Sequence, residues 1–175
     1  MLEIRPAVPA DAAALAAVAA VTFPLACPPH TTEEAKADFI ATHLSEASFD
    51  AYLADPDRDL FVAEDSGRAL GYTMLVAGDP TDDDVAAAIT TRPTIELSKL
   101  YVLPDVHGGG VASALVAASI DAARARGAAA VWLGVNQENG RANRFYEKTG
   151  FVQVGTKRFL VGGRYEDDFV RELVL

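Results

Sequence analysis

The sequence holds a single cysteine, Cys27, among 175 residues. An internal disulfide is therefore impossible, and so is a metal cluster built on several thiolates. Histidine is scarce too. His30, His43 and His107 show no metal-ligand spacing with one another, so no metal is expected. Positive charge is the third shortage, with 15 Lys+Arg against 25 Asp+Glu and a net charge of −10. That balance excludes the basic surface that a nucleic-acid or anionic-membrane partner needs. It is compatible with a cationic substrate and equally with simple solvation. No apolar run approaches the ~18 residues of a membrane span. The alanine-rich start lacks the basic segment of a signal peptide and carries Asp11, so a capped helix is expected there and the cytoplasm is the default location.

Half of the residues are hydrophobic and 23% are charged, a globular rather than a disordered composition. The length suits one domain, residues 1–175, with an apolar core that needs no metal or disulfide support.

Along the chain, Leu2–Pro6 alternates as a strand, and Pro9 and Asp11 open a helix to about Val21 that Phe23-Pro24 should end. A proline-rich loop follows. Thr31–Leu44 and Ser45–Ala54 read as helices, the first capped by Thr31 or Thr32. Leu60–Glu64 and Ala69–Ala77 read as a hairpin across Asp65-Ser66-Gly67-Arg68. The adjacent Asp82, Asp83 and Asp84 point to different faces, which fits a solvated loop or helix start and not a metal site. A strand from Ile95, a glycine turn and a helix from Gly110 to Arg126 come next. Val131–Val135 is a strand apolar on both faces. Asn139 caps a helix to Thr149 that Gly150 closes, and Val152–Val161 pairs with Asp168–Leu175 across Gly162-Gly163. The order is β, two or three helices, βββ, α, β, α, ββ: a mixed α/β sheet with helices on both faces.

The segment that most invites chemistry is Ile95–Ala118. A strand that runs through a glycine-rich turn into a helix offers backbone N–H groups and a helix N-terminus to an anion. A dinucleotide fingerprint fits poorly. Ser113 stands at its third glycine, and Asn136 follows the next strand where an acidic residue belongs. A pyrophosphate cradle of the acyl-CoA kind over His107, Gly108, Gly109, Gly110, Val111, Ala112 and Ser113 fits better. A purely structural turn is the third reading, though consecutive glycines cost folding entropy.

His107-x-x-Gly110-x-Ala112 resembles motif A of the GNAT superfamily of acyl-CoA-dependent N-acetyltransferases, Q/R-x-x-G-x-G/A, with histidine at the first place. Asn139-Gly140-Arg141-Ala142-Asn143-Arg144-Phe145-Tyr146-Glu147-Lys148-Thr149-Gly150-Phe151 is similar to the same family's N-x-x-A-x-x-F-Y-x-x-x-G-F segment. The element order agrees with that fold, a central mixed β-sheet with helices on both faces, across essentially the whole chain. The Ile95–Ala112 segment also resembles, more faintly, the bacterial branch that includes polyamine acetyltransferases.

The resemblance implies acetyl-CoA as co-substrate, no metal, and direct attack by a primary amine. An alkylammonium of pKa ~10 must lose its proton first, at ~4 kcal/mol at pH 7. Glu96 on the strand is the candidate base; its plainer role is an exposed glutamate or a partner for Lys99. Tyr146 is implied as the group that protonates the departing sulfur; its plainer role is a buried ring beside Phe145. Asn139 is a helix cap or a contact to the pantetheine arm. From Leu100 on the strand is apolar on both faces, which fits burial or a bulge. The resemblance assigns the Leu100 N–H to the thioester oxygen and Val102 to pairing with the cofactor. Phe23, His30 and Tyr72 are candidates for the acceptor side. A small amine or polyamine is the expected acceptor. A protein N-terminal or lysine acetyltransferase and a non-catalytic acyl-CoA-binding regulatory module are the alternatives, and a homodimer is compatible with any of them.

Overall fold

The computed structural model describes all of Met1–Leu175. Its strands are β1 (Leu2–Pro6), β2 (Arg58–Asp65), β3 (Arg68–Val76), β4 (Thr94–Val102), β5 (Ala130–Asn136), β6 (Val152–Val161) and β7 (Arg164–Val174). The helices are α1 (Ala12–Ala26), α2 (Glu33–His43), α3 (Glu46–Ala54), α4 (Asp83–Ala88), α5 (Val111–Ala125) and α6 (Gly140–Thr149). The strands form one seven-stranded sheet in the order β1-β2-β3-β4-β5-β7-β6. Only β4 and β5 are parallel, and α5 is the crossover that joins them.

The punctuation expected from the sequence is largely what shapes the chain. Ser66 and Gly67 both take positive φ, which gives the β2–β3 hairpin the turn that matches strand twist. Thr32 caps α2 by accepting from the Ala35 N–H at 3.1 Å. Asp82 caps the short helix α4, so the aspartate triplet is a helix start. Gly150 ends α6 in the left-handed region at φ 101°, and Phe151 folds under the helix, fully buried.

Three expectations need correction. Phe23-Pro24 does not end α1, which runs on to Ala26. Pro24 costs only one hydrogen bond this close to the helix end. Phe23, buried and stacked on Phe39 at 4.5 Å, holds that last turn in place. The stretch Pro9–Ala26 is 18 residues with mean hydropathy 1.5, long and apolar enough for a span by those measures alone. Here its Leu15, Val18, Ala19 and Phe23 are buried in a core with Leu60, Val62, Tyr72 and Met74 of the sheet. Finally, the irregularity in β4 is not at Leu100. Met74 pairs with Lys99 and Leu75 with Leu97, so the extra residue is Ser98.

The two faces of the sheet carry different cores. α5 and α6 cover one face, where Ile95, Leu97, Leu133 and Val135 meet Val116, Tyr146 and Phe151. α1 and α3 cover the other face over Tyr72, Met74 and Tyr101, and α4 packs against Trp132 and Val170 further along it. Period-2 alternation therefore sends Glu96, Lys99 and Tyr101 to the α1 side of the sheet.

Candidate active site

The site begins where the sheet opens. Pairing of β4 with β5 covers only Thr94↔Ala130, Ile95↔Val131 and Glu96↔Trp132. Beyond Glu96 the bulge at Ser98 turns β4 away. The strand stays bonded to β3 as far as Val102, while β5 stays bonded to β7. No strand-to-strand bond crosses the gap between them. Leu103 donates to Leu70 of β3 at 2.8 Å. Strand alternation then turns the backbone groups of Leu100 and Val102 into the gap.

The glycine turn lies at the upper end of this gap. Gly108 and Gly110 adopt φ 82° and 81°, a region that side chains rarely adopt. No backbone bond is made by the N–H groups of Gly108, Gly110, Val111, Ala112 or Ser113. No atom lies within 4 Å of where a Cβ would stand on Gly108 or Gly110, so the space in front of them is open. Open space and free N–H groups at a 15-residue helix N-terminus fit a pyrophosphate. The ring of His107 is not aimed into that space. Its Nε2 donates to the Val102 carbonyl at 2.9 Å and ties the turn to the strand end.

Helix α6 closes the other side. The Asn139 side chain accepts from Ala142 N–H at 3.1 Å, so it serves as the cap. Asn143 donates to the Asn136 and Asn139 carbonyls at 3.0 and 2.9 Å, and binds the helix to the end of β5. Tyr146 is 8% exposed, wedged between Phe145 and Phe151, and its hydroxyl has no protein partner. Burial, and secondarily the nearby Tyr101, push its phenol well above the usual range. It therefore stays protonated and able to donate.

On the α1 side of the gap stand four charged groups from three strands. Glu96 makes no ion pair with Lys99 or any other cation, and burial raises its carboxyl despite Lys157 and Lys99 nearby. Burial pulls the Lys99 ammonium down to about 8. Asp168, 6% exposed, is raised to about 6 by burial, against the pull of Lys157. Lys157 pairs with Asp168 across β6–β7 and crosses β5 at Gly134, where a Cβ would fall 2.6 Å from its Cε. Asp168, Lys157 and Tyr101 are absent from the sequence-based candidates. A signal existed: the Gly162-Gly163 turn fixes Val161 opposite Arg164, and counting back along both strands sets Lys157 beside Asp168.

The three acceptor-side candidates fare differently. Phe23 is 5% exposed and Tyr72 is fully buried, so in this structure both rings belong to the core under α1. His30 is at the surface of the α1 side. Its Nε2 bonds Glu166 at 2.6 Å, and its Nδ1 lies 3.8 Å from Glu138. These are metal-ligand atom types within 4.8 Å of one another, although the spacing of the histidines gave no sign of such a group. The direct bond to Glu166 occupies one of the two ring nitrogens.

The acetyltransferase (GNAT) family matches residues 25–151, a span that runs from the end of α1 to Phe151 and takes in the gap, the turn and α6. The chain belongs to the GNAT family of acetyltransferases. An uncharacterised N-acetyltransferase of Mycobacterium tuberculosis is 50% identical over 166 residues, 94% of this chain and 99% of the relative. Among solved structures, a PaiA N-acetyltransferase of Thermoplasma acidophilum in complex with coenzyme A superposes with a TM-score of 0.79 at 20% identity. It covers 100% of this chain and 99% of its own. A ribosomal-protein-alanine N-acetyltransferase of Brucella melitensis gives 0.65 at 25% identity, with 99% of both chains covered. The GNAT fold and an acetyl-CoA-dependent N-acetyltransferase activity follow from this membership, and the open gap and the unbonded turn fit the cofactor. The finer resemblance to a polyamine branch has no counterpart among these relatives.

Proposed function

We propose that this GNAT protein, read as one cytoplasmic domain over residues 1–175, acetylates a small cationic primary amine, polyamines first. The observation that carries the reading is a pair of largely buried carboxylates without an ion-pair partner on the α1 side of the gap, Glu96 and Asp168. A carboxylate of that kind can bind an ammonium and accept its proton. Direct attack needs no protein nucleophile and no metal. The half-buried Cys27 fits no such role: burial raises its thiol, and its Sγ donates to the Phe23 carbonyl.

In this reading acetyl-CoA lies along Leu100–Val102, with its pyrophosphate on the 108–113 turn. A carboxylate on the α1 side takes the ammonium proton and the neutral amine attacks the thioester carbonyl. The Leu100 N–H receives the developing oxyanion, a contact of the kind worth ~3–4 kcal/mol. Tyr146 protonates the leaving sulfur.

The test is a panel of amines and peptides with free-thiol release as readout. Release with spermidine or a short diamine is expected. Acetylation of a peptide N-terminus with spermidine inert would replace the small-amine reading by a protein acetyltransferase. CoA binding without turnover on any acceptor would leave a regulatory module.

A further inference from the structure

Two carboxylates share the α1 side of the gap, and they stand at different depths. Glu96 is paired with Trp132, at the last rung where β4 and β5 are still joined. It therefore lies at the floor of the cleft. Four residues on along β4 is Leu100, whose N–H faces the gap, and four on along β5 is Asn136. Asn136 pairs with Asp168 on β7. With Ser98 bulged out, Glu96 and Leu100 are three rungs apart, about 10 Å at ~3.3 Å per residue, whereas Asp168, with its Oδ2 over Gly134, stands nearer to the level of Leu100.

The surroundings of Asp168 suit a base. It is 6% exposed and no protein donor bonds its carboxylate. The groups that face it are Lys157 from β6, Glu166 and Asp167 from β7, and Tyr101 from β4, with Glu96 below. Lys157 forms no ion pair with it, although the lysine stem and Asp168 Oδ2 both lie over Gly134 of β5. Only Asp168 of the two carboxylates is near enough to Tyr101 for its charge to act on that hydroxyl. Tyr101 in turn stands near Tyr146.

The geometry points to Asp168, the buried carboxylate nearer to the Leu100 N–H, as the group that takes the proton from the acceptor's ammonium. The inference rests on the acetyl-transfer reading above. The step balances as follows. The Asp168 carboxylate removes one proton from R–NH3+, which leaves R–NH2 and a carboxylic acid. The amine lone pair forms the C–N bond to the acetyl carbon, and the C–S bond breaks. The thiolate receives a proton from the Tyr146 phenol, which recovers one from the new amide nitrogen, and Asp168 releases its proton to water.

The experiment measures kcat/KM against pH from 5 to 9 with a free-thiol readout, for wild type, Asp168→Asn and Glu96→Gln. The expected wild-type profile rises through a limb near pH 6. Asp168→Asn is expected to lose that limb and about a hundredfold in kcat, while Glu96→Gln keeps the limb whatever its rate. In the Glu96→Gln background, Lys157→Met is expected to move the limb to higher pH, since it removes the cation that holds Asp168 down. This second variant leaves Asp168 intact should Asp168→Asn fail to fold. The inference is overturned if Asp168→Asn keeps the limb, if Glu96→Gln abolishes it, or if Lys157→Met leaves it unmoved. Wild type that releases no thiol with any amine, at any pH, overturns the acetyl-transfer reading and this inference with it.

Discussion

Arg171 of β7 donates from Nε to Asn143 Oδ1 of α6 at 3.0 Å, and the same guanidinium reaches the Phe151 carbonyl and Glu147 at 3.2 Å each. Arg171 is 3% exposed, so its bonds to Asn143 and Phe151 are made away from water, while Glu147 meets it from the surface. The helix that carries Tyr146 is thereby fixed to the strand that carries Asp168. Arg171→Met would leave Asn143 and the Phe151 carbonyl short of a donor. A loss of about 3 kcal/mol is expected, read as a fall in Tm of roughly 6–12 °C. A Tm within 2 °C of wild type would mean that the strand and helix are held by apolar packing alone.

Tyr146→Phe removes the one hydroxyl that α6 directs to the gap and leaves its ring between Phe145 and Phe151. Acetyl transfer is expected to fall about a hundredfold with CoA affinity nearly unchanged. Full activity across pH 6–9 would take the acid role away from this residue.

Gly110→Asp forces a side chain into φ 81° and sets a carboxylate among the free N–H groups of the turn. CoA binding by calorimetry is expected to weaken more than tenfold. Gly110→Ala, which carries the ~1–2 kcal/mol backbone strain without the charge, should weaken it less. Equal binding by all three proteins would remove the pyrophosphate from this turn.

Asp168 also has a signature in stability. Its carboxyl rises from an ordinary 3.8 to about 6 in the folded protein, so the folded state holds the proton more tightly than the unfolded one. The sign follows directly. Below pH 3.8 the group costs nothing; the penalty grows as pH rises and is complete above about 6, at up to about 3 kcal/mol. Asp168→Asn should therefore gain in Tm over wild type between pH 4 and pH 7. A difference that does not change with pH would show that the carboxyl is not held high.

Tyr72 is fully buried, and its hydroxyl has no partner. Its ring packs on Phe49 and Tyr101 instead. Tyr72→Phe is expected to be neutral or to stabilise by about 1 kcal/mol, with kcat/KM unaltered. A drop in kcat/KM would give that hydroxyl a path to the acceptor.

Local chemistry made most of the fold legible. Gly67, Gly110, Gly150 and the Gly162-Gly163 pair all occupy positive φ where the sequence placed a turn or a cap, and Thr32 and Asn139 cap the helices expected of them. What escaped was decided by tertiary contact. Phe23 meets Phe39 from another helix, and that meeting carries α1 past Pro24. The bulge at Ser98 shows only when β3 is laid against β4. The same holds for the site. The turn and Tyr146 sit in motifs contiguous in sequence, while the acidic side draws on β4, β6 and β7, and no window of one strand contains it.

The β6–β7 hairpin supplies Lys157, Glu166 and Asp168 from a ten-residue and an eleven-residue strand joined by Gly162-Gly163. No cofactor contact proposed above comes from it. In the proposed reading the hairpin contributes to the acceptor side, while β4 serves both sides through Glu96, Leu100 and Val102. The hairpin makes no part of the turn at Gly108–Gly110, so exchanging residues 152–174 between relatives, with Arg171 kept to hold α6, should carry the choice of amine along while the acetyl donor stays the same.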